Sequence, residues 1–272
     1  MRTMAILALG ALLSGCSGAP EQPAAPANDA NAAAPTPAAT QEPAPPPAPV
    51  AKPSKTAVKN ANYSFEFAYP AQAAAIPTLA KWFEGHRAAL TAELDKDTAA
   101  FRKEAADGDF EFRPYESTHE WKVVTDTPRF LSLSAETWVY TGGAHGSPGY
   151  DAIVWDKAAG QRLKPTDVFT STDAIQRAIG APFCAALDKE REKRRGAPVV
   201  RSDDSFDACP KVADATLILG STNRQTIDRI GLLVGPYVAG PYAEGTFEVT
   251  LPVTDALLAA VKPAYRDAFG TK

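Results

Sequence analysis

Between Tyr63 and Phe101 the spacing of large apolar side chains changes from two to three and four, and no single type of secondary structure satisfies both periods. Tyr63-Ser64-Phe65-Glu66-Phe67-Ala68-Tyr69 alternates aromatic with small or polar residues, the pattern of a half-buried strand, and Pro70 ends it. Leu79, Trp82, Phe83, His86, Leu90, Leu94 and Phe101 then fall on one stripe of a long amphipathic helix. Alternation resumes in His119 to Val123 and in Leu131 to Ala135, and a further strand is predicted from Tyr150 to Asp156, turning at Ala158-Ala159-Gly160. Ser171 is placed to cap a helix carrying Ile175, Ile179, Phe183 and Leu187, with Pro182 expected to kink or interrupt it. Ile227 to Val234 and Thr246 to Leu251 read as strands, and Thr254 starts a terminal helix that Pro263 splits. Strands in runs with helices between the runs predict an α+β fold, a mainly antiparallel sheet packed with one long amphipathic helix and shorter helices.

The amino terminus sets where such a domain works. Arg2 precedes an apolar run from Ala5 to Leu13, about half of the roughly 20 residues that a membrane-spanning helix needs. This matches a secretory signal peptide over residues 1–15. Leu13-Ser14-Gly15-Cys16 resembles the lipobox of bacterial lipoproteins, in which the Cys16 thiol receives a lipid and becomes the first residue of the mature chain. Ser17 in place of Asp resembles the sorting pattern that sends such proteins to the outer membrane, on the periplasmic face. Residues 16–57 are read as a lipidated cysteine and an Ala/Pro-rich tether, with Pro43, Pro45, Pro46, Pro47 and Pro49 close together. A segment of this composition buries too little apolar surface to offset its chain entropy. At about 3.1 Å per residue where stiff, it spans roughly 100 Å. The folded domain is expected over 58–272, an N-terminal part at about 58–157 and a C-terminal part at about 158–272.

The chain carries 28 basic and 32 acidic side chains, a formal charge of −4 at pH 7, and losing Arg2 makes it one unit more negative. That balance gives no reason to expect a nucleic-acid partner, and the lipid anchor is the only expected membrane contact. Once Cys16 is lipidated, Cys184 and Cys209 remain, and in an oxidising compartment an even pair suggests a disulfide.

The most distinctive string is Tyr140-Thr141-Gly142-Gly143-Ala144-His145-Gly146, between two predicted strands. Three glycines within five residues imply backbone closed to residues with a Cβ, or close approach by a partner. With Trp155-Asp156, Gly160, Leu163 and Asp167-Val168-Phe169 downstream, and Gly235-Pro236-Tyr237-Val238-Ala239-Gly240-Pro241-Tyr242-Ala243-Glu244-Gly245 before Phe247, Val249 and Pro252, the sequence resembles the RsiV-like family over most of residues 60–255. That family comprises the exported domain of a lysozyme-sensing anti-sigma factor, and it occurs in lipoproteins and beside polysaccharide deacetylases. The resemblance implies an α+β domain whose loops engage a cell-wall-related ligand, a lysozyme-like hydrolase or a peptidoglycan-type glycan. It places ligand-binding residues at Gly142, Gly143, Ala144, His145, Gly146, Pro236, Tyr237, Pro241 and Tyr242. A lipobox where that anti-sigma factor has a cytoplasmic segment and a transmembrane helix argues against inherited signalling.

His145 is the best single candidate for a general base or a metal ligand, against the plainer reading of a histidine that locks a turn. Zinc takes three or four protein ligands, and His86 and His119 show no ligand spacing, so no metal and no cofactor are expected. Gly146-Ser147-Pro148-Gly149 lacks the glycine two residues before the serine that a nucleophile elbow needs. Asp151, Asp156, Asp167 and Glu244 are candidates for a glycosidase-type carboxylate pair, against solvated edge and turn residues. Tyr237 and Tyr242, each after a proline, either present rigid aromatic faces to a ligand or anchor their loop to the core. The charged run Leu187 to Gly196 reads as a solvated helix end. No catalytic residue is assigned. The expected function is a non-enzymatic binding domain on an envelope lipoprotein, with a cell-wall glycan hydrolase or deacetylase as the alternative and a structural lipoprotein as the third reading.

Overall fold

The computed structural model describes residues 51–202 and 206–271; the signal peptide, Cys16 and the tether up to residue 50 lie outside the described residues. The fold is α+β. Its first sheet has six strands in sequential order, β1 (Ser54–Lys59), β2 (Tyr63–Tyr69), β3 (Tyr115–Asp126), β4 (Phe130–Tyr140), β5 (Ser147–Asp156) and β6 (Gln161–Leu163). Every pairing is antiparallel except β2 with β3, which are parallel. That exception follows from the connection, because the short helix α1 (Ala71–Ala74) and the long helix α2 (Pro77–Asp107) carry the chain back to the end of the sheet at which β2 began. A second sheet holds β7 (Thr216–Gly220), β8 (Arg229–Val234) and β9 (Phe247–Pro252), all antiparallel. Helices α3 (Thr172–Arg195) and α4 (Asp255–Ala260) complete the domain.

The expected periodicities are realised. Tyr63, Phe65, Phe67 and Tyr69 turn one face of β2 inward, where Leu79 and Phe83 of α2 meet them with Trp121, Leu131, Leu133 and Ile153. Phe83 is fully buried, stacked on Tyr69 at 4.6 Å between ring centroids. The second core lies between the small sheet and α3 with α4, and gathers Ile175, Ile179, Phe183 and Leu187 against Leu219, Ile230, Leu232, Phe247 and Leu257. Ala152 of the large sheet meets Ile218 and Leu233 of the small one, so the small sheet covers part of the large sheet's second face.

Three expectations are corrected. The folded region begins ahead of residue 58, because Ser54 to Lys59 pair along the whole length of β2. Asn60 makes that hairpin, its side-chain oxygen accepting from the amides of Asn62 at 2.8 Å and Tyr63 at 2.9 Å. Pro182 does not interrupt α3, which runs through it. The proline sits on the exposed side while Ile179, Phe183 and Leu187 hold the other side in the core, which offsets one lost backbone hydrogen bond. β6 and β7 were not foreseen, and the strand expected from Ile227 starts at Arg229, Ile227 instead bridging to Phe269. Ser171 caps α3 as expected, accepting from the Ala174 amide at 3.0 Å, and α4 ends before Pro263 opens a 3-10 turn.

Cys184 of α3 and Cys209 are joined in a disulfide, with Cα atoms 5.5 Å apart and a sequence separation of 25. A closure of that length stabilises by about 3 to 4 kcal/mol on the chain-entropy view. The double variant Cys184→Ser, Cys209→Ser is therefore expected to unfold roughly 10 °C lower in a thermal melt. An unchanged melting point refutes a stabilising role for the bridge.

Candidate functional site

The connection from β4 to β5 is built by close approach. Gly142 has φ +85°, in the left-handed region, and the Phe101 ring of α2 lies 3.1 Å from where a Cβ would stand. At Gly146 a Cβ would fall 2.2 Å from the Trp138 indole, so Trp138 packs directly against that glycine. Glycine is required here for space, and the loop is fixed in position by two aromatic residues from different elements.

The segment Pro236 to Gly245, between β8 and β9, closes onto that loop from 92 residues away. Tyr242 stacks on the His145 imidazole with ring centroids 3.9 Å apart and donates its hydroxyl to the Gly146 carbonyl at 2.8 Å. Tyr237 approaches the same imidazole, its hydroxyl 3.3 Å from Nε2. His145 Nδ1 lies 2.9 Å from the Gly146 carbonyl oxygen. A carbonyl can only accept, so in the neutral ring Nδ1 carries the proton and Nε2 accepts from Tyr237. The two sequence candidates thus meet in one surface cluster of His145, Tyr237 and Tyr242.

Tyr237 stands out within it. Its φ is +66°, one of three non-glycine residues in the left-handed region among those described, and it is 54% exposed. Its amide donates to the Gly240 carbonyl at 3.0 Å, which closes the turn that holds it there. A bulky side chain in this conformation costs on the order of 1 kcal/mol or more, and such strain is characteristic of ligand sites.

The charged end of α3 anchors this arm, contrary to the expectation of a solvated face. Arg191 is fully buried, donating to the carbonyls of Ala239 at 2.8 Å and Ala208 at 2.9 Å and pairing with Asp188. Arg195 grips Glu244 with both Nε (2.8 Å) and Nη2 (3.0 Å) and reaches Asp207 at 2.7 Å. Hydrogen bonding to Glu244 is the main reason the Arg195 guanidinium holds its proton more tightly than usual. Arg194 lies 4.0 Å over the Phe247 ring and donates to the Glu244 carbonyl. Three arginines of one helix therefore hold the segment that carries the tyrosines, at Ala239 between them and at Glu244 near its end.

Beside the cluster, on the part of the large sheet's second face left open by the small sheet, runs a groove of about 430 Å³. Its floor is two cross-strand rows set by register, Thr118-Trp138-Pro148 and Glu120-Glu136-Tyr150, and its rim is Gly245 and Thr246 at the end of the arm. Trp138 belongs to both features, lining the groove and covering Gly146. Sequence reasoning missed the groove; the available signal was a tryptophan two residues beyond Glu136 on the polar face of a strand.

The remaining candidates have local partners. Asp156 is buried and held by Arg129 at 2.7 and 3.0 Å and by the amides of Ala158 and Ala159. Burial alone raises its pKa, and the guanidinium and amides outweigh that and bring it below the usual carboxylate value. Asp167 accepts from the Lys164 amide, Asp151 from the Ala152 amide, and Glu244 is taken by Arg195. Asp151 and Asp156 project from opposite faces of β5, so they form no carboxylate pair. Ser147 opens β5, with strand and not helix after it. His86 and His119, set aside for lack of ligand spacing, come together under α2 with ring centroids 6.3 Å apart. Burial is the main cause that lowers the pKa of both. Among the described residues, no group of three or more His, Cys, Asp and Glu side chains is arranged to hold a metal ion.

The fold and the paired loops thus define an α+β domain with one aromatic surface site beside an open sheet face. Residues 56–148 match the family model described as Deacetylase PdaC, a match that runs from within β1 through β4 and the following loop to the first two residues of β5. Two solved structures are similar. One is a DUF3298 family member from Bacteroides fragilis NCTC 9343, 16% identical at TM-score 0.46, covering 74% of this chain and 90% of that one. The other is a DUF3298 family protein from Pseudomonas aeruginosa PAO1, 16% identical at TM-score 0.45, covering 82% and 98%. No curated protein matches the chain.

Proposed function

We propose that this is an RsiV-like envelope lipoprotein, anchored through Cys16 to the outer membrane on its periplasmic face, whose domain binds a cell-wall glycan without cleaving it. The observation that carries the reading is the strained, exposed Tyr237 beside the His145–Tyr242 stack, next to a groove walled by Trp138 and Tyr150. Sugar rings offer apolar faces that lie flat on aromatic side chains, and hydroxyls that pair with the threonines and carboxylates between them. The glycine loop and the arm are held from α2 and α3, so little side-chain freedom remains to be lost on binding.

Isothermal titration of the full chain in detergent with N-acetylated chitooligosaccharides is expected to give saturable binding. Tyr237→Ala is expected to weaken it at least tenfold, about 1.4 kcal/mol. Absence of saccharide binding together with saturable binding of lysozyme assigns the surface to a lysozyme-like partner instead. The match of residues 56–148 to Deacetylase PdaC favours a deacetylase as the second reading. Acetate released from the same oligosaccharides, and lost in His145→Ala, establishes that reading and removes the first.

A further inference from the structure

We infer that the groove beside the tyrosine cluster is a subsite for a saccharide bearing a free, protonated amine, an N-unsubstituted hexosamine unit; this rests on the glycan-binding reading and names its ligand class. The inference starts from register. Glu120 of β3 and Glu136 of β4 are direct cross-strand partners on one face of the sheet. Like charges in that position repel and weaken the pairing. Lys122 reaches both, at 3.4 Å from Glu120 and 3.5 Å from Glu136, and Lys55, which acts on Glu120 from β1, is itself taken by Glu66 at 2.9 Å, so three carboxylates share two cations. Charge-assisted hydrogen bonds settle at about 2.7 to 2.9 Å. Lys122 therefore bridges the pair at the long end of ion pairing and satisfies neither carboxylate closely. The group keeps one negative charge in excess, and that charge faces the groove.

The surroundings select what can neutralise it. Trp138 lies two residues from Glu136 on the same face, with Tyr150 directly across from Glu136 on β5. A compact ammonium attached to a sugar ring meets two carboxylate acceptors and aromatic faces suited to a cation, while the ring spreads over the indole. The hydroxyls of Thr118 and Thr246 supply neutral hydrogen bonds on either side. A neutral acetamide in the same place brings no charge to offset the excess and puts one amide N–H against two anions. The volume of about 430 Å³ accommodates one or two sugar rings, not a folded protein.

The test compares two oligosaccharides of equal length, a glucosamine hexamer and its fully N-acetylated form, titrated into the full chain in detergent. The free-amine hexamer is expected to bind at least tenfold tighter at low salt, and Glu136→Gln or Glu120→Gln is expected to remove that preference, so that the two hexamers bind the variant with equal affinity. Both glutamates are more than half exposed, so these variants are expected to fold, which circular dichroism checks. Equal or tighter binding of the N-acetylated hexamer, or a preference that survives both variants, overturns the subsite and leaves glycan binding standing. Failure of both sugars to bind overturns the glycan reading itself, and with it the subsite.

Discussion

Arg191→Met is expected to destabilise the domain by about 4 kcal/mol in urea unfolding and to release the Pro236–Gly245 arm before the rest of the fold. The guanidinium is fully buried, and its partners are two carbonyls and one carboxylate. Methionine fills a similar volume but leaves the buried Ala239 carbonyl without its donor, a loss of about 1 to 3 kcal/mol, and takes the donor from the part-buried Ala208 carbonyl as well. Asp188 keeps a partner in Arg201, at 2.7 Å, which limits the damage. Because Ala239 stands two residues after Tyr237, the variant should also lose saccharide affinity although Arg191 touches no part of the surface site. Arg201→Met is the control: that side chain is half exposed, and its loss is expected to cost under about 1 kcal/mol. Equal stabilities of the two variants contradict the anchoring role of Arg191.

Arg129→Met is expected to destabilise by about 3 kcal/mol, because removing one member of a buried pair leaves an uncompensated carboxylate. Asp156 is 1% exposed at its side chain, and the amides of Ala158 and Ala159 are all that remain to it. The change also has a pH signature. In the wild type the folded-state pKa of Asp156 lies below its ordinary value of 3.8. The pair's stabilisation is thus present above that value and is lost as the pH falls through the folded pKa. Without Arg129, burial dominates and pushes the folded-state pKa upward, so the variant recovers stability relative to wild type as the solution is acidified. Chemical denaturation across the acid range reads this directly, and a stability difference that does not change with pH refutes the assignment.

How much was legible in the sequence depended on whether the signal was local. The period-two run at Tyr63 and the stripe from Leu79 needed only near neighbours, and both became the first core. β1 was illegible because Ser54 to Lys59 offers Thr56 and Val58 as its inward side chains and acquires its structure by pairing with β2. The charged run on α3 was misread although a signal existed. Ile175, Ile179, Phe183 and Leu187 step by four residues, and the next step is Arg191, so the buried stripe continues into the charges. The glycine string and the Pro-Tyr segment were each recognisable, but their meeting was not, since no period links residues that stacking brings together across 92 positions. The groove depends on register between three strands, and that is fixed by pairing that no single segment encodes.

The most direct measurement is hydrogen exchange of the full chain in detergent, with and without a saturating chitooligosaccharide. Protection is predicted in the β4–β5 loop around Gly142 to Gly146 and in the arm from Tyr237 to Thr246, with little change along α2. Protection confined to the α2 face around Trp82 and His86, with those two segments unchanged while ligand is bound, contradicts the assignment of the site.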